Sequence, residues 1–325
     1  MKDKRKNLKK AAVIFACFVA VVFSSCKKDC KVDEVLIDNK CIDIRNTITL
    51  TANSDVYILM AGIGTVTVNW GDGTLETYTL STTFSSYWHN YDSNNLYNII
   101  IIGNVTEFCC YNVQHLDISK NTALKRLSCS CDSINLDLSK NTALIYLDIR
   151  GDLANLDISK NTALMFLCVY ANLTNLDVSN NTALQFLDCS NNSLTSLDLS
   201  KNTTLTYLRC VDNDLTSLDI SKNTALTSLD CHDNNLNNLD VSNNTMLNYM
   251  DCDNNGLINL YVSKNTKLTS LFCSENQLED TALNNLFGTL HSNIISEVKI
   301  IYIYGNPGSY SCDRSIAESK GWTVY

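Results

Sequence analysis

Apolar residues recur along the middle of the chain with a period that no single helix or strand produces. Leu124, Leu144, Leu164, Leu184, Leu205, Leu226, Leu247 and Leu268 stand 20 residues apart for three steps and 21 apart for the next four. Each opens a segment L-x-x-L-x-C-x-x-N-x-L, followed by x-x-L-D-[ILV]-S-[KN]-N-T, as in "LTSLDCHDNNLNNLDVSNNT". Alternation within L-x-x-L-x-C puts Leu229 and Cys231 on one face of a strand and Ser228, Asp230 and His232 on the other. Units stacked in register pair these strands into a parallel sheet, with rungs about 4.8 Å apart. The inward Leu and Cys columns then form one core that no single unit could bury alone.

The repeat resembles the leucine-rich repeat in pattern and length. A β-rich solenoid follows, with repeats over 105–279 in units of 20–21 residues. Cys189, Cys210, Cys231, Cys252 and Cys273 share one inward position, which Cys129, Ile149 and Val169 fill upstream. Exchange of Cys for Ile and Val marks a modest apolar site, so these thiols are expected in the core. Asn192, Asn213, Asn234, Asn255 and Asn276 fall at the turn after each strand. Inward amides there can serve backbone groups that burial would leave unpaired. Asp132, Asp152 and Val113 stand at the corresponding earlier positions, the last in an expected edge turn built on Phe108 and Cys110.

A solenoid needs covered ends. Beyond Leu278, Leu283, Leu286, Phe287 and Leu290 recur at helical spacing, with Asp280 as the expected N-cap. Ile301, Ile303 and Asn306 repeat the Leu–Cys–Asn offsets and predict one more strand, followed by a short helix from about 312 to 319 and a final "WTVY". Residues 280–325 thus form an α/β C-terminal cap. At the other end, 46–104 reads as β, from the alternation in "NTITLTA" and "GTVTVNW" and the run "NLYNIIIIG". Its turn Trp70-Gly71-Asp72-Gly73, the pair His89 and Tyr91, and Tyr97 are similar to the PKD type of β-sandwich. The likeness implies that Asp72 is a fold element.

Residues 1–25 have the layout of an export signal: a basic start, then "AAVIFACFVAVVF", too short to span a bilayer. "FSSC" resembles a bacterial lipobox. That likeness implies cleavage before Cys26 and its lipidation, with 26–45 as a linker. Lys27, Lys28 and Asp29 loosely resemble the export signal of Bacteroidetes surface lipoproteins. In an exported chain Cys30 and Cys41 can form a disulfide, although connectivity does not follow from sequence. The net charge of −9 argues against general nucleic-acid binding, which needs clustered Lys and Arg.

Little in the chain suggests catalysis. Cys231, His232 and Asp233 carry a thiol, a base and an acid in succession, but alternation sends the first inward and the second outward. "DCDNNG" at 251–256 mimics a calcium loop, yet Val262 stands where the bidentate Glu is required. No enzyme, cofactor or metal site is expected.

Variation concentrates on the outward strand positions. One column reads Arg126, Tyr146, Phe166, Phe186, Tyr207, Ser228, Tyr249, Ser270; beside it run Ser128, Asp148, Cys168, Asp188, Arg209, Asp230, Asp251 and Phe272. Aligned aromatics bordered by carboxylates are typical of interaction surfaces. Tyr146, Phe166, Phe186, Tyr207, Tyr249, Asp148, Asp188, Arg209, Asp230, His232 and Asp251 are the expected partner-binding residues. Residues 46–325 resemble leucine-rich surface lipoproteins of Bacteroidetes with internalin-like repeats. The resemblance rests on "LDLSKNTAL", the Cys-containing strand and "IYIYGNPGSYSCDRSIAESKGWTVY". It implies a lipid-anchored protein at the outer membrane or cell surface of a Gram-negative bacterium, binding host or bacterial protein. Glycan capture and a purely structural spacer are the alternatives.

Overall fold

A computed structural model describes residues 34–37, 40–43, 46–131, 136–153, 155–294 and 297–325. The expected lipidation site Cys26, Cys30 and Asp132 lie outside these residues, and the side chain of Cys41 is not described. Strands β1 (Glu34–Ile37) and β2 (Lys40–Asp43) pair antiparallel with each other.

The repeats contribute one strand each: β9 (Arg126–Cys131), β10 (Tyr146–Arg150), β11 (Phe166–Tyr170), β12 (Phe186–Asp188), β13 (Tyr207–Arg209), β14 (Ser228–Asp230), β15 (Tyr249–Asp251) and β16 (Ser270–Phe272). All run parallel in unbroken register, Tyr146 opposite Phe166, then Phe186, Tyr207, Ser228 and Tyr249. Behind them the Leu and Cys columns are closed to solvent: Leu187, Leu208, Leu229, Cys189, Cys210 and Cys231 are each 0 % exposed. After β12, β13, β14 and β15 the chain turns sharply through a residue with positive φ. Asn191, Asp212, Asp233 and Asn254 take this position at φ between 49° and 55°. Asn and Asp tolerate this left-handed geometry better than other side chains.

Two amide ladders hold the turns together. In the expected one, Asn213 Nδ2 donates to Cys189 O at 3.0 Å and its Oδ1 accepts from Leu194 N at 3.0 Å. Asn234, Asn255 and Asn276 repeat the arrangement, and Asn306 extends it into the cap. The ladder begins at Asn192, whose Oδ1 accepts from Leu173 N at 2.8 Å. Asp152 stays exposed because a carboxylate cannot donate to the inner carbonyls.

The second ladder was not foreseen. It consists of Asn121, Asn141, Asn161, Asn181, Asn202, Asn223, Asn244 and Asn265, the Asn of each S-[KN]-N-T, all essentially buried. Each donates from Nδ2 to the preceding turn, as Asn223 does to Leu199 O at 3.1 Å and Asn202 O at 2.9 Å. Asn121 donates to Val105 O and ties the first repeat to the strand before it.

The N-terminal β region consists of β3 (Thr47–Ala52), β4 (Val56–Asn69), β5 (Leu75–Thr79), β6 (Ser85–His89), β7 (Tyr97–Val113) and β8 (His115–Asp117). Its strands join the same hydrogen-bonded sheet as the repeats. The long β7 makes the joint: Thr47–Ala52 and β4 pair with it antiparallel, while Glu107–Val113 runs parallel to β9. The boundary expected at 104/105 therefore falls inside a strand. The turn expected at an edge does not lie at one, because β4 covers Ile58–Gly62 against Val105–Cys110. Gly62 is needed at this crossing, where a Cβ would collide with the Asn104 carbonyl.

The W-G-D-G residues do come together. Trp70 is fully buried and stacks on His89, with 4.8 Å between centroids, and His89 Nε2 lies 2.7 Å from Asp72 Oδ2. Burial works to raise the Asp72 carboxyl, but hydrogen bonds from His89 and Thr74 outweigh it and bring it down to about 2.

At the other end, helix α1 (Asp280–Thr289) buries Leu283, Leu286 and Phe287. Its N-cap is Glu279 and not Asp280, which is already helical and spends Oδ1 on Thr281 N at 2.7 Å. Lys320 Nζ donates to Phe287 O at 3.0 Å and Leu290 O at 2.8 Å, closing the helix C-terminus. Strand β17 (Lys299–Tyr302) pairs parallel with β16, and β18 (Trp322–Val324) pairs with β17. Helix α2 covers Ser315–Glu318, shorter than expected. Asp313 accepts from Ser315 N and Oγ, which sets the start of the helix there.

Candidate functional site

The outward face of the parallel sheet carries side chains at a spacing set by the strands. Tyr146, Phe166, Phe186 and Tyr207 occupy successive rungs and stack as a continuous ribbon. Ring centroids are 4.3, 4.2 and 4.3 Å apart, with planes within 10° of parallel. In-register parallel strands repeat at nearly the spacing of stacked rings, so one aromatic per rung produces the ribbon. Arg126 caps its first ring, with the guanidinium carbon 4.1 Å from the Tyr146 centroid. All four rings are half-buried.

Tyr249 does not join this ribbon. Ser228 stands between it and Tyr207 in register, and Tyr249 tilts against Phe272 instead, at 5.5 Å and 42°. Phe272 then stacks on Tyr302 at 5.0 Å, and Tyr302 on Tyr325 at 4.7 Å. This second stack reaches into the cap. Tyr302 and Tyr325 were not among the expected site residues, although both follow from extending the outward register through β17.

The charged column separates into two environments. Asp148 accepts from Ser128 Oγ at 3.2 Å and pairs with Arg150 at 3.4 Å. Expected as open contacts, Asp188 and Asp230 are instead only 4 % and 7 % exposed. Asp188 accepts from Tyr170 OH at 2.5 Å and Ser190 Oγ at 2.7 Å. Arg209 Nε lies 2.9 Å from Asp230 Oδ2, and its Nη1 lies 3.8 Å from Asp188. Neighbouring side chains cover these carboxylates although alternation points them outward.

On the far side of Asp230 the balance of charge reverses. His232 Nδ1 is 2.6 Å from Asp230 Oδ1 and 3.8 Å from Asp251 Oδ2. Burial raises the Asp251 carboxyl. Burial and the adjacent Asp251 push Asp253 up to about 6. Among the described residues no Lys or Arg pairs with either. The face thus offers an apolar ribbon, an Arg209-bridged pair of acids and an acidic patch around His232.

The inward cysteines are inert by environment. Burial raises Cys189, Cys210, Cys231, Cys252 and Cys273 far above the usual thiol range. The Sγ atoms of Cys189, Cys231, Cys252 and Cys273 point at carbonyls of the next rung, as Cys231 does at Asp251 O, 3.4 Å away.

No family model and no curated protein matches the sequence. Among solved structures, the functional domain of InlJ from Listeria monocytogenes, described as including a cysteine ladder, is 38 % identical with a TM-score of 0.58. The match covers 68 % of this chain and 48 % of that one, so the chain spans about half the length of the InlJ domain. A leucine-rich repeat protein of Leptospira interrogans matches at 17 % identity over 64 % of this chain and 68 % of its own, with a TM-score of 0.49. The parallel sheet, the one-strand units and the inward Leu and Cys columns together make this chain a leucine-rich repeat solenoid.

Proposed function

We propose that the chain is a lipid-anchored surface protein that binds a protein partner on the outward face of its repeat sheet. The observation that carries this reading is the ribbon Tyr146–Phe166–Phe186–Tyr207, half-exposed and bordered by charge. Aromatic and Arg side chains in such a setting are the residue types on which interface affinity concentrates. Likeness to the InlJ domain supports a protein-interaction scaffold in place of an enzyme.

The stacking geometry favours protein over glycan. Sugar rings pack on aromatic faces, but in this ribbon each interior ring has both faces covered by its neighbours. What remains for a partner is a row of ring edges, suited to apolar side chains and to carbonyl oxygens attracted by the positive rim.

Anchoring is the second half of the reading. It rests on the basic start, the apolar run and "FSSC", which support Cys26 as the lipidated residue, and on the likeness to Bacteroidetes surface lipoproteins, which implies the outer membrane as the site of attachment. Among the described residues no helix is long and apolar enough to cross a membrane. Metabolic labelling with a fatty-acid analogue should mark the wild-type chain and not Cys26→Ala. The binding half is tested by capture from bacterial and host extracts. A partner retained by the wild type should be lost by the Tyr146→Ala, Phe166→Ala, Phe186→Ala triple variant.

A further inference from the structure

We infer that Asp230, His232 and Asp251 form a binding site for one first-row divalent cation of the zinc class. The site arises from the register of the sheet. Asp230 ends β14 and lies opposite Asp251, which ends β15, and His232 follows two residues after Asp230 on the same face. One ligand atom from each residue lies within 4.8 Å of the other two. Donors bound at about 2.0–2.2 Å sit roughly 3–4 Å apart, so small side-chain rotations close the set around an ion.

Each donor is already aimed by a partner of its own. Asp230 gives Oδ2 to Arg209 at 2.9 Å and keeps Oδ1 for the imidazole. Asp251 accepts from Asp253 N through Oδ1 at 3.0 Å and turns Oδ2 toward His232, 3.8 Å away. The imidazole presents Nδ1 to both carboxylates, while Nε2 faces Asp233 Oδ2 at 3.6 Å. A carboxylate behind the far ring nitrogen is the usual support of a metal-bound histidine, fixing its tautomer and orientation.

Charge points the same way. Asp230, Asp233 and Asp251 approach one imidazole, and the nearest guanidinium serves Asp230 and Asp188. Among the described residues no Lys or Arg pairs with Asp251 or Asp233, so this crowding of acids is left unrelieved. A dication would relieve it and displace protons, as metal binding at acids and imidazoles does. An imidazole nitrogen with two carboxylates suits zinc, cobalt or nickel. Calcium requires six to eight oxygens, which this group does not supply.

The test is calorimetric titration of the chelator-treated full chain with ZnCl2, with CaCl2 as control. The expected result is one saturable zinc equivalent, proton release on binding and no calcium signal. Affinity should fall by about tenfold or more in His232→Ala and in Asp251→Asn. His232 and Asp251 are only partly buried, and unchanged circular dichroism would show that the variants fold. His232→Gln provides a second, less invasive removal of the nitrogen ligand. Unchanged zinc affinity in folded His232→Ala or His232→Gln, or no saturable binding by the wild type, would overturn the assignment and leave an ordinary Asp–His–Asp cluster. The titration contains no partner, so its failure would not bear on the binding reading.

Discussion

Phe166 and Phe186 lie face to face across β11 and β12, centroids 4.2 Å apart and planes 10° from parallel. Each also stacks on a further ring, Tyr146 on one side and Tyr207 on the other. The ribbon is therefore a structural element as well as a surface. A double-mutant cycle of Phe166→Ala and Phe186→Ala, read by chemical denaturation, should give a coupling of about 0.5–1.5 kcal/mol. Strict additivity would show that the rings act as independent hydrophobes.

The unforeseen amide ladder makes a sharper stability prediction. Asn223→Ala removes the donor to Leu199 O and Asn202 O in a site closed to solvent. It should cost about 1–3 kcal/mol, the penalty for leaving buried carbonyls unpaired. Asn237→Ala, at an exposed amide in the segment after β14, should stay within about 0.5 kcal/mol of the wild type. Equal effects at the two positions would contradict the ladder's role.

Burial of Asp253 beside Asp251 predicts a pH-dependent gain. The folded Asp253 carboxyl titrates at about 6, above its ordinary 3.8, so the folded state holds the proton more tightly than the unfolded state. Stability from this group is fully present below about 3.8 and is lost as pH rises through about 6. Asp253→Asn should therefore stabilise the chain at pH 7.5 by about 1 kcal/mol, after allowance for screening of a partly exposed group. At pH 3.5 the gain should vanish. Comparison with wild type at each pH, in chelator, is essential because other acids act oppositely. Asp137, Asp177 and Asp240 are lowered by hydrogen bonds from the Ser two residues on, and their contribution is lost as pH falls below the ordinary carboxylate value.

The cysteine column should be silent to thiol reagents. Cys189, Cys210, Cys231, Cys252 and Cys273 are 0 % exposed, and burial disfavours the thiolate that would react. Mass spectrometry after maleimide treatment should find them unlabelled in the native chain and labelled in denaturant. Cys231→Val should cost less than about 1.5 kcal/mol, since Val169 and Ile149 already fill this column. Rapid native labelling would mean that the strands open far more easily than their packing implies.

The solenoid was legible because its signal repeats: a period of 20–21 residues and alternation within each strand are enough for register, core and outward columns. The Asn121–Asn265 ladder was not, although its Asn never varies. It sits in a turn, where side-chain direction depends on backbone geometry that a two-residue period does not describe. The Phe272–Tyr302–Tyr325 stack was hidden for another reason. Helix α1 is inserted between β16 and β17, so Phe272 and its register partner Tyr302 fall out of the repeat spacing. Alternation also gave the face of Asp188 and Asp230 without the neighbours that cover them, Tyr170 and Arg209. The same gap concealed the approach of His232 to Asp251, which depends on two adjacent rungs.

The central claim is that a protein partner docks on the aromatic ribbon. It is tested most directly by placing a photoreactive phenylalanine analogue at Tyr207, the ribbon's last ring, or at Ser196, an exposed residue in the half-unit between β12 and β13, away from the ribbon. Irradiation with the captured partner should yield a cross-linked species from position 207 and none from 196. Cross-linking from 196 alone, or equally from both positions, would contradict the account.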